Sequence, residues 1–469
     1  MIDGILKIAT LFFSATLLWA CSDDAPSGQC DPADSSCPDG LVCETLQGDS
    51  PQCMAPVVIK GQVLDATDDD PIEGALVQTV NPNGTPMGPS ATTDAEGYYE
   101  VVVPAPRDSD GKPLKGSFSL RVSAQAYKSF PSELRPAIPM DFSMAQGDVD
   151  KGWSIDSALT IVKLIPVPAD VGNLGSISGS VITDSDFGVM VVAEASGHGY
   201  TGYTDSDGNF IVFNVPADSY HVMGFMAGVQ LEPVDVTVGA GQDVEGVELR
   251  KSANSLSTVS GHVQIVNAPG DSKTSVVLAV ESTFDESTNV GKVPVGLRVG
   301  DVTSDFSFEQ VPDGNYVVLA AFENDGLVRD PDQTIGGTMV VRIQVPDPVM
   351  GNTIDLPDGF KVTEALEVIS PGAHGYEVIQ DSVPTFRFKN DTSEDGYDLY
   401  LYDSFGTEIW STNLGPSSET LAVPYSGPAL DSGMVYQFRA FSWRDKSGKK
   451  TYISATEALK GVFSFDVNN

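Results

Sequence analysis

Three times between residues 57 and 358 the chain runs through the same order of short signals, and this repeat constrains the fold more than any composition figure. Each copy opens on a strand with a central glycine: VVIKGQVL around Gly61, SISGSVI around Gly179 and TVSGHVQI around Gly261. A second apolar run follows, GALVQTV from Gly74, GVMVVAEA from Gly188 and SVVLAVE from Ser275. Then comes a polar turn leading into an alternating strand and a Val-Pro pair: TDAEGYYEVVVP from Thr93, TDSDGNFIVFNVP from Thr204 and TSDFSFEQVP from Thr303. The first of these is one residue shorter between its aromatic and its proline, and the third lacks the turn glycine. Aromatic-led strands, SYHVMGFMAG and NYVVLAAFEN, follow the proline in the later copies, whereas the insertion APRDSDGKPLKG delays the equivalent SFSLRVSAQAY in the first. Runs this short, rich in Val, Ile, Phe and Tyr and punctuated by Gly, Asp, Asn and Pro, read as strands and hairpins, and no long amphipathic helical period interrupts them.

The expected fold class is therefore all-β, a row of seven-stranded β-sandwiches of roughly 80–100 residues each. Closing strands complete the copies: SALTIVKLI from Ser157, VDVTVG with GVELR, and MVVRIQV with NTIDLP. Linkers fall at PVPADVGNLG from Pro166, KSANSLS from Lys251 and PDGFKV from Pro357, which sets the sandwiches at 57–168, 175–251 and 257–358. A different pattern, with PTFRF, GYDLYLYD and YQFRAFSW strands, fills a terminal domain over 363–469.

The turn TDSDGNF has the look of half a calcium loop. Setting Gly208 at loop position 6 puts Asp207 at 5 and Asp205 at 3, but Tyr203 falls at 1 and Asn214 at 12, so two oxygen ligands are missing. The first copy fails the same test, with Thr92 and Val103 at those places, and turn chemistry accounts for what is left. A second acidic loop, DATDDDPIEG, gathers Asp65, Asp68, Asp69 and Asp70 as weak candidates for calcium, although acidic turns are more often solvated. No metal or other cofactor is expected.

The repeat resembles the carboxypeptidase regulatory-like domains, transthyretin-like and Ig-like β-sandwiches that are also similar to the B-type repeats of surface adhesins and to starch-binding modules. The resemblance covers residues 57 to 358 and rests on the first-strand glycine, the Asp-x-x-Gly-x-aromatic hairpin and the Val-Pro element. It implies a fold and no activity, because the chain has neither a peptidase domain nor its zinc ligands. B-type repeats can close an isopeptide bond between a first-strand lysine and a last-strand asparagine. Only Lys60 is near such a place, and SALTIVKL offers it no asparagine, so none is expected here. The terminal domain resembles fibronectin type III and related immunoglobulin-like domains, which implies a tyrosine corner at Tyr436 and core places for Trp410 and Trp443. Starch-type binding needs exposed aromatics; Trp153, in GDVDKGWSID, is the one weak candidate ligand platform, against the plainer reading that it covers its own domain.

Residues 1–20 hold one lysine and an apolar run from Ile8 to Trp19, the length of a signal-peptide core and too short for a membrane span. The run ends in LLWAC, which resembles a bacterial lipobox and implies lipidation of Cys21; a conventional cut near Ala20, with Cys21 an odd thiol, is the rival. Ser22 in place of aspartate resembles the outer-membrane sorting choice. Two or three acyl chains bind a membrane stably without spanning it.

The other cysteines, Cys30, Cys37, Cys43 and Cys53, sit in a polar stretch within a segment 21–56, and in an exported chain they read as two disulfides with three possible pairings. The stretch CPDGLVC resembles small knot modules with crossed bridges, which implies Cys30 with Cys43 and Cys37 with Cys53. A zinc site is the rival, without a CxxC pair or a histidine to support it.

A net charge of −39, from 65 acidic and 26 basic residues spread along the chain, excludes nucleic acid as a partner. GxSxG, a GK[ST] phosphate loop and HExxH are absent, and the four histidines, His198, His221, His262 and His374, are scattered. The expectation is a non-catalytic, lipid-anchored protein of the cell outer membrane: a Cys-rich stalk, three sandwiches and a terminal domain held away from the membrane. Its role would be adhesion, scaffolding or binding of carbohydrate or an envelope protein. The alternatives are an accessory subunit of an envelope transport or secretion complex and, third, an unrecognised enzyme.

Overall fold

A computed structural model describes residues 30, 37–38, 40–47, 50–82, 84–131, 137–149, 151–168, 172–183, 187–266, 274–284, 291–321, 341–356, 360–363, 365–391, 394–446, 448–456 and 460–465. The leader at 1–20 and Cys21 lie outside the described residues. Among those residues the chain is all-β, with two short 3-10 turns, Phe142–Met144 and Glu281–Thr283.

Each repeat folds as a sandwich of two sheets in which the glycine-bearing first strand is central. In the second copy, Gly175–Ile182 lies between Asn209–Val215, antiparallel, and Asp243–Arg250, parallel. The facing sheet runs His198–Tyr203, Met190–Ala195, Asp218–Phe225, Val234–Val238, giving seven strands. The third copy repeats this plan, with its closing strand broken into Thr353–Asp355 and Phe360–Thr363, both parallel to Ser257–Val266. Part of the PDGFKV stretch read as linker is thus a strand of the third sandwich. The first copy has eight strands instead of seven, because GDVDKGWSID is not a loop but a hairpin, Gln146–Asp148 against Gly152–Leu164.

The repeated sequence signals have separate physical causes. A β-carbon on Gly61 would lie 1.9 Å from the Thr160 carbonyl oxygen, and on Gly179 1.8 Å from that of Val247, because the parallel closing strand bulges over the glycine in both copies. The hairpin threonine is a buried pin: Thr93 Oγ1 accepts from Ala75 N–H and donates to the Ile72 carbonyl, and Thr204 Oγ1 accepts from Val189 N–H. The aromatic after Val-Pro closes its own turn, Tyr220 and Tyr316 donating to the Pro216 and Pro312 carbonyls at 2.7 and 2.9 Å. Alternation does the rest: Ile177, Phe210, Val212 and Val222 fill the second core, and Val259, Phe306, Phe308 and Val318 the third.

The terminal domain packs a sheet of Val368–Ser370, Thr385–Phe388 and Leu421–Pro424 on a larger one. The larger sheet runs Glu377–Ile379, Val462–Phe465, Val435–Lys446, Gly396–Asp403, Glu408–Leu414, with Lys449–Ala455 folding back on Val435–Lys446 as a hairpin. Asp431 N–H donates to the Tyr436 hydroxyl at 2.8 Å, the contact of a tyrosine corner.

The modules do not run out in a line. Val435 and Val462 of the terminal domain join the hydrophobic cluster of the first sandwich, and the Lys163 ammonium stands 4.9 Å from the Phe405 ring centre. The terminal domain thus turns back onto the first sandwich, and Val435 and Val462 are buried there.

Candidate functional site

The carboxylates singled out in the sequence are spent on backbone. Asp205 accepts from the N–H groups of Asp207 and Asn209, both at 2.9 Å, and Asp94 does the same for Glu96 and Tyr98. In the acidic loop, Asp65 accepts from Thr67 N–H and hydroxyl at 2.6 and 2.5 Å and from the Tyr127 hydroxyl at 3.0 Å. These Thr67 bonds hold its carboxyl below the usual range. Asp68 accepts from Asp70 N–H, and Asp69 pairs with Lys163. Asp65, Asp68 and Asp69 therefore turn to different partners, and the four aspartates do not bring their carboxylates within reach of one ion.

Among the described residues, the group of ligating side chains within reach of one ion is Cys30, Cys37 and Cys43. Their sulfurs are engaged in disulfides, Cys30 with Cys43 and Cys37 with Cys53. Trp153 packs against the first core, with its Nε1 buried and unbonded. His221 bonds to Asp235 at 2.8 Å on the rim of a shallow trough of about 470 Å³, beside Glu194 and Thr237. The trough is open, and its histidine is 49% exposed.

Other polar residues build joints. Asn214 is the extra residue that distinguishes the second hairpin from the first, and it forms a β-bulge with φ of 61°. Its side chain crosses to the first sandwich, where Oδ1 accepts from Ala126 N–H at 2.7 Å and Nδ2 donates to the Ala124 and Tyr127 carbonyls at 3.0 and 2.7 Å. Arg121 of the first sandwich lies 3.6 Å from the Tyr203 ring centre of the second. The third copy repeats the bulge but not the side-chain bonds: Gln310, φ 58°, accepts through its main-chain carbonyl from Gly228 N–H of the second sandwich at 2.9 Å. Phe225 meets Tyr316 edge to face across that joint, with ring centres 5.9 Å apart.

A third joint seats the Cys-rich segment. Glu44, 3% exposed, accepts from Ala105 N–H through both oxygens and faces Arg107 at 3.7 Å. Arg107, 1% exposed, donates to the Gly111 and Ala55 carbonyls. Burial pushes the Glu44 carboxyl up to about 7, against the pull of Arg107. The insertion APRDSDGKPLKG is therefore a docking platform, a role no local pattern announces.

The outer face of the large terminal sheet carries an aromatic surface. Trp410, opposite Leu401, joins the core as expected. Trp443 does not: it shares strand parity with Arg439 and Phe441, while Phe438 and Ala440 point inward. The core expectation for Trp443 is corrected on this ground. Its indole lies over Gly396, where a β-carbon would come within 2.6 Å of the ring. Tyr402, Tyr400, Phe441 and Tyr452 extend the surface, with successive ring centres 6.1, 5.8 and 5.2 Å apart. Beneath them Asp398, 2% exposed, accepts from Lys450, from the Tyr452 hydroxyl at 2.7 Å and from Asn413 Nδ2 at 2.6 Å. Burial alone would raise its carboxyl, but these donors hold it below the usual range.

No protein-family model matches the chain, and no curated protein does. Among solved structures, the Bacillus anthracis TIE protein aligns over 87% of this chain and 72% of its own, at 11% identity and a TM-score of 0.15. Two B repeat units of the collagen-binding protein of Staphylococcus aureus align over 88% of this chain and 99% of theirs, at 11% identity and 0.18. A DUF3823 family protein from Bacteroides ovatus covers 45% of this chain and 98% of its own, at 13% and 0.21. At such identities and scores the likenesses do not bear on function.

Proposed function

We propose that the chain is a non-catalytic protein of the cell envelope, lipid-anchored at Cys21, that acts as a surface scaffold for adhesion. The observation that carries this reading is the set of joints: the Asn214 amide, the Gln310 main-chain carbonyl and the buried Glu44–Arg107 pair are spent on fixing one part of the chain against the next. A catalytic site concentrates convergent ionisable groups in a cleft. Among the described residues the buried carboxylates, Glu44, Asp65 and Asp398, are tied to backbone, threonine, lysine, tyrosine and asparagine.

The N-terminal motif and the export-type cysteines support attachment to the outer membrane, and fibronectin-like modules suit a display role. Protease treatment of intact cells tests the display. Release of soluble fragments from wild-type cells, and loss of membrane fractionation in Cys21→Ser, are expected. Complete protection of the chain on intact cells would overturn surface display in favour of an accessory subunit on the periplasmic side.

A further inference from the structure

Buried apolar clusters divide the molecule into two bodies that are not consecutive in sequence. The strand Met190–Ala195 is buried on both faces along its first four residues. Val191 and Ala193 belong to the second sandwich's own core, whereas Met190 and Val192 join Leu278, Leu297, Tyr316 and Val318 of the third. An antiparallel sheet that is apolar on both sides needs a cover, and the third sandwich supplies it. A β-carbon on Gly314 would come within 2.6 Å of the Phe225 ring, and Ala227 N–H donates to the Val295 carbonyl at 2.9 Å. In the same way the first sandwich shares its cluster with Val435 and Val462 of the terminal domain, with Tyr376 packed beside them.

Between these two pairs the described residues share no buried hydrophobic cluster. The contacts from the first sandwich to the second are polar instead. They are the three bonds of the Asn214 amide, Gln125 Nε2 to the Leu174 carbonyl at 2.6 Å, the Ser90 hydroxyl to Asp205 at 3.5 Å, and Arg121 over the Tyr203 ring. The chain crosses from one pair to the other twice, between Leu164 and Gly175 and between Thr363 and Leu366. Contacts between domains permit relative motion unless they are large and apolar.

We propose that the protein is a hinge of two arms, the first sandwich with the terminal domain and the second with the third, which open about the two crossovers when Asn214 and Arg121 let go. Asn214 is suited to be the bolt. Its three partners, Ala124, Ala126 and Tyr127, lie in one turn closed by Tyr127 N–H on the Ala124 carbonyl, so a single side chain makes or releases them together. Opening exchanges those bonds for water and leaves both apolar clusters intact, as hinge closure between rigid bodies requires.

Spin labels on the full mature chain carrying Cys21→Ser read the motion. Lys115→Cys with Glu419→Cys lies inside the first arm, Glu232→Cys with Ser307→Cys inside the second, and Lys115→Cys with Glu232→Cys between them, all at exposed positions. With Asn214 and Arg121 in place, the pair between arms is expected to give one narrow distance. In Asn214→Gly, and further in Asn214→Gly with Arg121→Ala, it gains a second, longer one, while both pairs inside the arms stay narrow, which separates opening from misfolding. An unchanged distance between arms in the double variant, a longer distance inside either arm, or a broad distribution between arms before substitution would overturn the hinge. Hydrogen exchange in rising denaturant checks the second arm independently: Met190–Ala195 and Thr274–Val280 should lose protection at one concentration, and Phe225→Ala should lower that concentration for both. Two separate midpoints would show that the second and third sandwiches are not one body. Protease treatment of cells reads location and these distances read motion, so the hinge and the display role fail separately.

Discussion

Asn214 holds a conformation that a strand does not offer. At φ 61° it sits in the left-handed region, where asparagine is tolerated better than most residues, and the bulge aims its amide out of the second sandwich into the first. Three hydrogen bonds end on one side chain, two of them from its Nδ2, so the amide cannot be replaced by a residue of similar size without stranding partners. Asn214→Ala is expected to cost about 2–3 kcal/mol at this joint through lost bonds and left-handed strain. Asn214→Gly, which removes the strain and not the lost bonds, should cost less. Faster amide exchange at Ala126 in both variants is the readout; unchanged exchange would show that the joint does not depend on the amide. The sequence reading met this residue only as a failed calcium ligand. Its partners lie about ninety positions away in another module, beyond the reach of any local pattern.

At the level of strands, much more was legible. Alternation and turn residues define each sandwich, because period-2 burial and hairpin chemistry are local. The first-strand glycine is visible in sequence, but its cause is not, since the carbonyl that occupies the β-carbon space of Gly61 and Gly179 comes from the parallel closing strand. Gly179→Ala is expected to destabilise the second sandwich by about 3 kcal/mol or more, because the obstacle is backbone and cannot rotate away. A chemical-denaturation midpoint measures it, and a midpoint within error of wild type would refute the clash. Alternation also has a limit, reached in VYQFRAFSW. Tyr436 and Phe438 share one face and Phe441 and Trp443 the other. With apolar rings on both sides, periodicity alone does not say which faces inward. The pairing of Gly396 with Trp443 decides it, and that pairing is a matter of register.

Across the whole molecule, the first sandwich is the hub. It receives the Cys-rich segment through Glu44, the second sandwich through Asn214 and the terminal domain through Val435 and Val462. The Cys-rich seat carries a pH signature. Burial raises the Glu44 carboxyl in the folded state to about 7 from 4.5. The seat is therefore favoured below pH 4.5, and that advantage is lost as pH rises towards about 7. Glu44→Gln should flatten the slope of thermal stability between those limits; a variant whose profile parallels wild type would show that Glu44 does not control the seat.

The return of the terminal domain onto the first sandwich also decides how a pull is carried. Tension applied at the aromatic face enters through the contacts of Val435, Val462 and Phe405 directly into the module that grips the N-terminal segment. In chain order the second and third sandwiches stand between these two modules, so the contact gives a load a non-covalent route that bypasses them.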